Sequence, residues 1–175
     1  SDYGTTWTSR FPSAFLLWYS ISLSSTGQYQ SAVVENGNIY ISSDFGVTWT
    51  ARTAPGSLGW YLISLSSTGQ YQSAVVYNSG TGGNIWTSSD YGVTWTARTT
   101  PVNRTWVSIS LSSTGQYQSA VVNGGNIWTS SDYGVSWVSV TAPGTADWWS
   151  ISLSSTGQYQ TAAVAAAGGT IFTST

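Results

Sequence analysis

The sequence predicts an all-β fold, a four-bladed β-propeller of four-stranded antiparallel blades, and three observations support this prediction. The ten-residue segment ISLSSTGQYQ starts at Ile21, Ile63, Ile109 and Ile151 and is identical in all four copies. Each unit divides into four short runs of β-forming residues separated by turn residues, which is the size of a propeller blade. The units are complete only when the chain is read as a circle, which indicates a closed ring.

The repeat divides a single domain, residues 1–175, into units 18–59, 60–105, 106–147 and 148–175 plus 1–17. The last unit is split between the termini, because the end GGTIFTST and the start SDYGTTWTSR together match residues 82–98. We therefore expect the N-terminal strand, residues 5–8, to complete the last blade and close the ring. Closure would remove exposed strand edges, which otherwise template aggregation. A solenoid would need distinct capping units and would not explain the circular split.

Each predicted strand follows from local pattern, here for the first unit. Residues 18–24 alternate apolar and small polar side chains, which predicts a first strand ahead of a turn at Gly27. The second strand is expected at 29–34, before the break at Asn36-Gly37, and the third at 38–42. A turn at 44–46 leads to a fourth strand at 47–52. No segment of useful length has a helical apolar period, and Ser, Thr, Val, Ile, Tyr and Trp suit pleated sheets.

A second motif, Ser-x-Asp-x-Gly-x-x-Trp, marks the turn before the fourth strand. Its members are Ser42, Asp44, Gly46 and Trp49; Ser88, Asp90, Gly92 and Trp95; Ser130, Asp132, Gly134 and Trp137; and, across the termini, Asp2, Gly4 and Trp7. In such a turn the Asp accepts backbone N–H bonds, the Gly supplies a positive φ, and the Trp packs on the hairpin. The motif resembles the Asp-box, or bacterial neuraminidase repeat, of sialidase-like and sortilin-like propellers. This resemblance implies that the boxes are structural and lie away from any active site.

The composition excludes most catalytic chemistry. Only 6% of residues are charged, and the chain has no Lys, His, Cys or Met. An imidazole base, a thiol nucleophile and a thiolate metal site are therefore absent. The resemblance implies that sialidase activity would need an arginine cluster, a Tyr–Glu pair and an acidic proton donor. The chain has one Glu, Glu35, and three of its four arginines share one repeat position, so we expect no enzyme, cofactor or metal.

The net charge of −2 with four scattered arginines predicts no nucleic-acid binding, and the short apolar runs predict no membrane insertion. Binding is expected where the units differ, at the connections between second and third strands and between units. In an up-and-down blade these connections share one face, named here the variable-loop face. Aromatic side chains there suit sugar rings. The candidate ligand-binding residues are Trp18, Trp60, Trp106, Trp148, Trp149, Tyr19, Tyr61, Tyr77 and Arg104.

Several alternatives stay open at this stage. The four invariant tryptophans can instead pack between neighbouring blades. The expected function is a non-enzymatic module that binds a carbohydrate or protein ligand. The alternative is a structural or assembly module, or an engineered or excised symmetric propeller with no dedicated ligand. We expect an extracellular or surface location and a monomer, with a dimer as the other possibility.

Overall fold

A computed structural model describes residues 4–10, 15–77, 83–99, 101, 104–165 and 169–175, and its regular elements are all β-strands. The first unit contains β1 (Trp18–Leu23), β2 (Gln30–Gly37), β3 (Ile39–Ser42) and β4 (Thr50–Arg52). The second contains β5 (Leu58–Leu65), β6 (Gln72–Val76), β7 (Ile85–Ser88) and β8 (Thr96–Arg98). The third contains β9 (Trp106–Leu111), β10 (Gln118–Gly125), β11 (Ile127–Ser130) and β12 (Val138–Val140). The fourth contains β13 (Ala146–Leu153), β14 (Gln160–Val164) and β15 (Ile171–Ser174).

The strands of each unit pair antiparallel in chain order, as the repeat predicted. Neighbouring units then join through the far end of the second strand. Glu35 of β2 pairs with Gly59 of β5, and Asn123 of β10 pairs with Asp147 of β13. The described strands therefore form two curled sheets, one from units 1 and 2 and one from units 3 and 4. Among the described residues no helix is long and apolar enough to cross a membrane.

The hydrophobic core lies at the three joints between consecutive units. At the first joint Ile39 and Ile41 of unit 1 pack with Trp60, Ile63 and Leu65 of unit 2. At the second joint Ile85, Trp106, Ile109 and Leu111 occupy the positions of Ile39, Trp60, Ile63 and Leu65, and a smaller cluster lies at the third. The inner strands β1, β5, β9 and β13 lie side by side in that order. Alternating apolar residues on β-strands thus give units 2 and 3 two buried faces each, one at each joint.

The predicted ring closure is not present among the described residues. Residues 4–10 form no strand, and the only described strand that pairs with β15 is β14. No described contact comparable to those between neighbouring inner strands joins β13 to β1. Unit 1 is consequently exposed on its outward face, where Ile21 is 60% exposed although Ile63 at the same repeat position is 2% exposed. Among the described residues the four units thus form an open arc, whose end strands β1 and β13 do not pair.

The fourth strands also differ from their predicted bounds. The prediction was 47–52 in unit 1, whereas β4 begins at Thr50, after the box tryptophan. Residues 47–49 belong instead to the box turn, because their backbone and side chains bond back to Asp44 and Gly46. By the same register the equivalent strand of unit 4 would be residues 8–10 rather than 5–8. Asp2 lies outside the described residues.

Candidate functional site

The box turns are closed by hydrogen bonds within each turn. In unit 1 the Asp44 carboxylate accepts bonds from Ser42 Oγ at 2.8 Å, Thr48 N at 2.9 Å and Thr48 Oγ1 at 2.6 Å. Trp49 Nε1 donates to Gly46 O at 3.0 Å, so the indole is held against its own turn. The same bonds recur in units 2 and 3. The carboxylate oxygens of these three boxes therefore accept hydrogen bonds from groups of their own turns.

The backbone of the box contains one feature that the sequence did not indicate. Gly46 has φ 79°, as expected, but Phe45 before it also has a positive φ of 61°. Tyr91 and Tyr133 occupy the same position and share this conformation. A bulky residue in the left-handed region is strained, so the surrounding bonds must hold it there. The signal was missed because turn propensity assigns this conformation to Gly, Asn or Asp.

The pKa values of the box carboxylates follow from the same hydrogen bonds. The Thr48 side chain, then its backbone N–H and the Ser42 hydroxyl, lower the pKa of Asp44 to about 2. For Asp90 and Asp132, partial burial raises the pKa, but the bonds from Thr94 and Ser136 outweigh it, so the net pKa is below the ordinary value. These carboxylates are ionised near neutral pH, and their oxygen atoms accept hydrogen bonds within the turn.

The prediction of a ligand-binding role is wrong for three of the candidate tryptophans, because they are buried. Trp60, Trp106 and Trp148 are 0% exposed, and each Nε1 donates to a carbonyl of the preceding unit at 3.0–3.1 Å. They pack at the joints, which was the alternative interpretation, because a large indole with one N–H is well satisfied there. Trp18 holds the same repeat position in unit 1 but is 39% exposed, and its ring lies 5.1 Å from that of Tyr40.

The exposed candidates come together in units 1 and 2 as a row of three tyrosines on the variable-loop face. The rings of Tyr19 and Tyr61 are 5.5 Å apart, and those of Tyr61 and Tyr77 are 5.2 Å apart. Tyr19 and Tyr77 are exposed, whereas Tyr61 is half-buried and packs on the core below. This tyrosine row gives an extended aromatic surface with three hydroxyl groups.

Glu35 lies beside this tyrosine row and was not among the candidates. Its negative charge, then partial desolvation and a hydrogen bond between the two side chains, raises the pKa of the Tyr19 hydroxyl. Glu35 occupies the same repeat position as Tyr77, immediately after the second strand's Val-Val pair. Internal comparison of the units would have indicated it, since both residues begin a connection that varies.

The remaining candidates do not join the tyrosine row. Arg104 stands over the Trp128 ring, with its guanidinium carbon 5.8 Å from the ring centroid, which is a cation–π distance. Trp149 is exposed in unit 4. Arg98, at the repeated position, donates through Nε to Thr87 Oγ1 at 2.8 Å, and burial lowers its pKa. Its role is to tie the fourth strand to the third.

Comparison with known protein families decides the affiliation of the repeat. The model of the BNR-Asp box repeat matches residues 85–97 and 127–140, which contain the boxes of units 2 and 3. These two segments are BNR-Asp box repeats. The matched segments run from the third strand through the box to the fourth strand, so the family signature coincides with the bonded turn described above. No curated protein sequence matches the chain.

The Asp-box chain also resembles solved β-propellers in fold. A GH74 enzyme from Niastella koreensis superposes with a TM-score of 0.76 at 17% identity, over 97% of this chain and 32% of that one. YCF48 from Cyanidioschyzon merolae gives 0.61 at 14% identity, over 89% and 56%. The computationally designed Ika4 protein gives 0.67 at 6% identity, over 93% and 92%. The Asp-box chain thus spans about a third of the GH74 enzyme's length, and these likenesses establish the propeller fold alone.

Proposed function

We propose that this Asp-box protein is a non-enzymatic binding module that takes carbohydrate ligands on its variable-loop face. The observation that carries the proposal is the tyrosine row, Tyr19, Tyr61 and Tyr77, with the Glu35 carboxylate at one end. Aromatic rings offer flat apolar area to the C–H faces of sugars, and the hydroxyls and carboxylate are partners for sugar hydroxyls. An extracellular or surface location belongs to the same proposal.

We propose a non-enzymatic module because the acidic residues suited to catalysis are few and lie in different units of the arc. Glycoside hydrolysis needs two carboxyl groups on either side of one bond. Asp44, Asp90 and Asp132 are used in their turns. Outside the boxes the acids are Glu35 in unit 1 and Asp147 in unit 4.

Titration of the protein with neutral oligosaccharides, followed by the NMR signals of the tyrosine rings, tests the binding function. We expect millimolar or tighter binding, and Tyr77→Ala should weaken it at least fivefold. Tyr133→Ala is the matched control, since Tyr133 is 38% exposed against 39% for Tyr77 and also stacks on a tyrosine, but in a box turn. Equal losses for both variants, or no binding of any saccharide at millimolar concentration, would contradict the proposal.

The proposal also includes completion of unit 4 by a strand at residues 8–10. In unit 2 the third and fourth strands pair Ile85 with Arg98 and Thr87 with Thr96. The equivalent pairs in unit 4 join Ile171 to Arg10 and Thr173 to Thr8. The outer edge of β15 is unpaired among the described residues, and an added strand would supply its hydrogen bonds.

A further inference from the structure

We propose that two copies of this chain join head to tail, with unit 4 of each packed against unit 1 of the other, to form one closed ring. The inference rests on the completion of unit 4 proposed above and names the chain that supplies it. Four lines of contact at the joints within the chain support it, because each has an unused counterpart at the two ends of the arc.

The first line is a buried hydrogen bond between hydroxyl and amide groups. A serine Oγ of each unit donates to a glutamine Oε1 of the next, from Ser31 to Gln72 at 2.7 Å and from Ser73 to Gln118 at 2.7 Å. The third joint repeats this bond at 2.8 Å. At the ends of the arc the same positions hold Thr161, which keeps the hydroxyl donor, and Gln30, which keeps the acceptor. Unit 4 of one copy can therefore donate to unit 1 of the other.

The second line is apolar. Within the chain, Ile39 of unit 1 is buried against Ile63 of unit 2. The equivalent of Ile39 in unit 4 is Ile171, which is 68% exposed, and the equivalent of Ile63 in unit 1 is Ile21, which is 60% exposed. Exposed contiguous apolar faces of this kind mark interaction surfaces. The two faces come from the same repeat positions as those of the internal joints, with Ala163 in unit 4 where units 1 to 3 have a valine.

The third line is a pair of stacked rings on the face opposite to the variable loops. Tyr29 stacks on Tyr91 of the next unit, with centroids 4.4 Å apart, and Tyr71 stacks on Tyr133 at 4.3 Å. At the ends of the arc the corresponding residues are Tyr159 of unit 4 and Phe45 of unit 1. Both are exposed. Docking of a second copy would bring them together.

The fourth line is a cavity of about 350 Å³ between units 3 and 4, lined by Ile127, Ile151 and Phe172 among others. At the joint between units 2 and 3 the equivalent position is occupied by the box tryptophan Trp137, which is 5% exposed. The box tryptophan of unit 4 is Trp7, which is 89% exposed and lies near unit 1. Since Trp7 lies beside unit 1 of its own chain, a copy that docks its unit 1 on unit 4 also brings this indole to the cavity.

The open arc favours a second copy over closure within one chain. Closing four units on themselves would require a change in the packing at the joints, and closely packed interiors resist such deformation. A second copy uses the joints as they are, and the two contacts it makes are identical by twofold symmetry. Two is the smallest number of copies that can close the ring, and twofold assemblies are the commonest.

Engineered disulfides test this inference cleanly because the chain has no cysteine. Thr8→Cys and Thr173→Cys variants, refolded together under oxidising conditions, should give a cross-linked pair of chains. Replacing the second variant by Thr129→Cys is the matched control, because Thr129 holds the same position on β11 and is already paired with Val138 of β12. In solution the unmodified protein should have twice the 18.6 kDa mass of one chain. Ile21→Arg should return it to one chain, whereas Val93→Arg, at a box-turn valine 51% exposed, should not.

The outcomes separate this inference from the proposed completion of unit 4. A mass of one chain at all concentrations, together with an internal disulfide in the Thr8→Cys/Thr173→Cys double variant, would show that unit 4 is completed by its own chain. The second-copy inference would then be overturned while the completion stands. Absence of any cross-link, between chains or within the double variant, would overturn both. The second-copy inference would also be overturned if Thr8→Cys chains cross-linked to Thr173→Cys chains no more than they do to the Thr129→Cys control chains.

Discussion

Replacement of Gln118 by leucine would measure how strongly neighbouring units are held together. The side chain is 1% exposed, its Oε1 accepts from Ser73 Oγ at 2.7 Å, and its Nε2 donates to Gly115 O at 2.9 Å. Each bond contributes about 0.5–1.5 kcal/mol net, and each buried partner left unsatisfied adds about 1–3 kcal/mol. Leucine recovers part of this through apolar burial. We therefore expect Gln118→Leu to lower the free energy of unfolding by about 3 kcal/mol, or Tm by about 6–12 °C.

A double-mutant cycle separates the bond between units from the bond within the turn. Ser73→Ala removes only the donor from the neighbouring unit and should cost about 1–2 kcal/mol. The double variant should cost about 1 kcal/mol less than the sum of the two, because both single changes break the same bond. Urea unfolding of the unmodified protein, the two single variants and the double variant, all at one protein concentration, measures the four free energies of unfolding. The m-value should be constant among them. Additivity within about 0.3 kcal/mol would refute the idea that this bond couples the units.

Three further predictions concern the turns and the tyrosine row. Gly92→Ala should cost about 2–4 kcal/mol by thermal unfolding, because φ is +79° and the new Cβ would lie 2.8 Å from a side-chain oxygen. Gly56→Ala, at φ +83° with nothing within 4 Å, should cost only about 1–2 kcal/mol, and equal costs would contradict the packing argument. Because hydrogen bonds lower the pKa of Asp44 from 3.8 to about 2, its contribution to stability is present above pH 3.8 and lost towards pH 2. The urea midpoint should fall across that range, and less steeply in Asp44→Asn. Finally, Glu35→Gln should lower the pKa of Tyr19, which is raised in the native protein, and a phenolate absorbance titration unchanged by the variant would contradict the contact.

The turns and most of the strands could be predicted because their causes are local. Alternation of apolar and polar residues indicates strands, and the Ser, Asp and Gly of each box have side-chain and backbone preferences that close a turn by themselves. Even so, β4 begins at Thr50 because Thr48 and Trp49 bond back into the turn, and hydrogen bonds override β propensity there.

The candidate site was predicted only in part, since burial depends on neighbours that are distant in sequence. Trp60 and Tyr61 are adjacent aromatic residues of one strand, yet the first is enclosed at a joint and the second belongs to the tyrosine row. Strand alternation places them on opposite sides but does not say which side is covered. Glu35 meets Tyr19 because two connections converge on one face, and chain order alone does not show that contact.

Sequence alone determined the repeat, the antiparallel order of strands within a unit, the box turns and the shortage of catalytic groups. These follow from residue types at fixed spacing. Only the tertiary structure decided which aromatic residues are buried, where the tyrosine row lies, and that the arc is open among the described residues. The arrangement of successive units depends on side-chain packing at the three joints, and the repeated sequence does not specify it. The faces of units 1 and 4 are exposed because, among the described residues, no further unit packs against them.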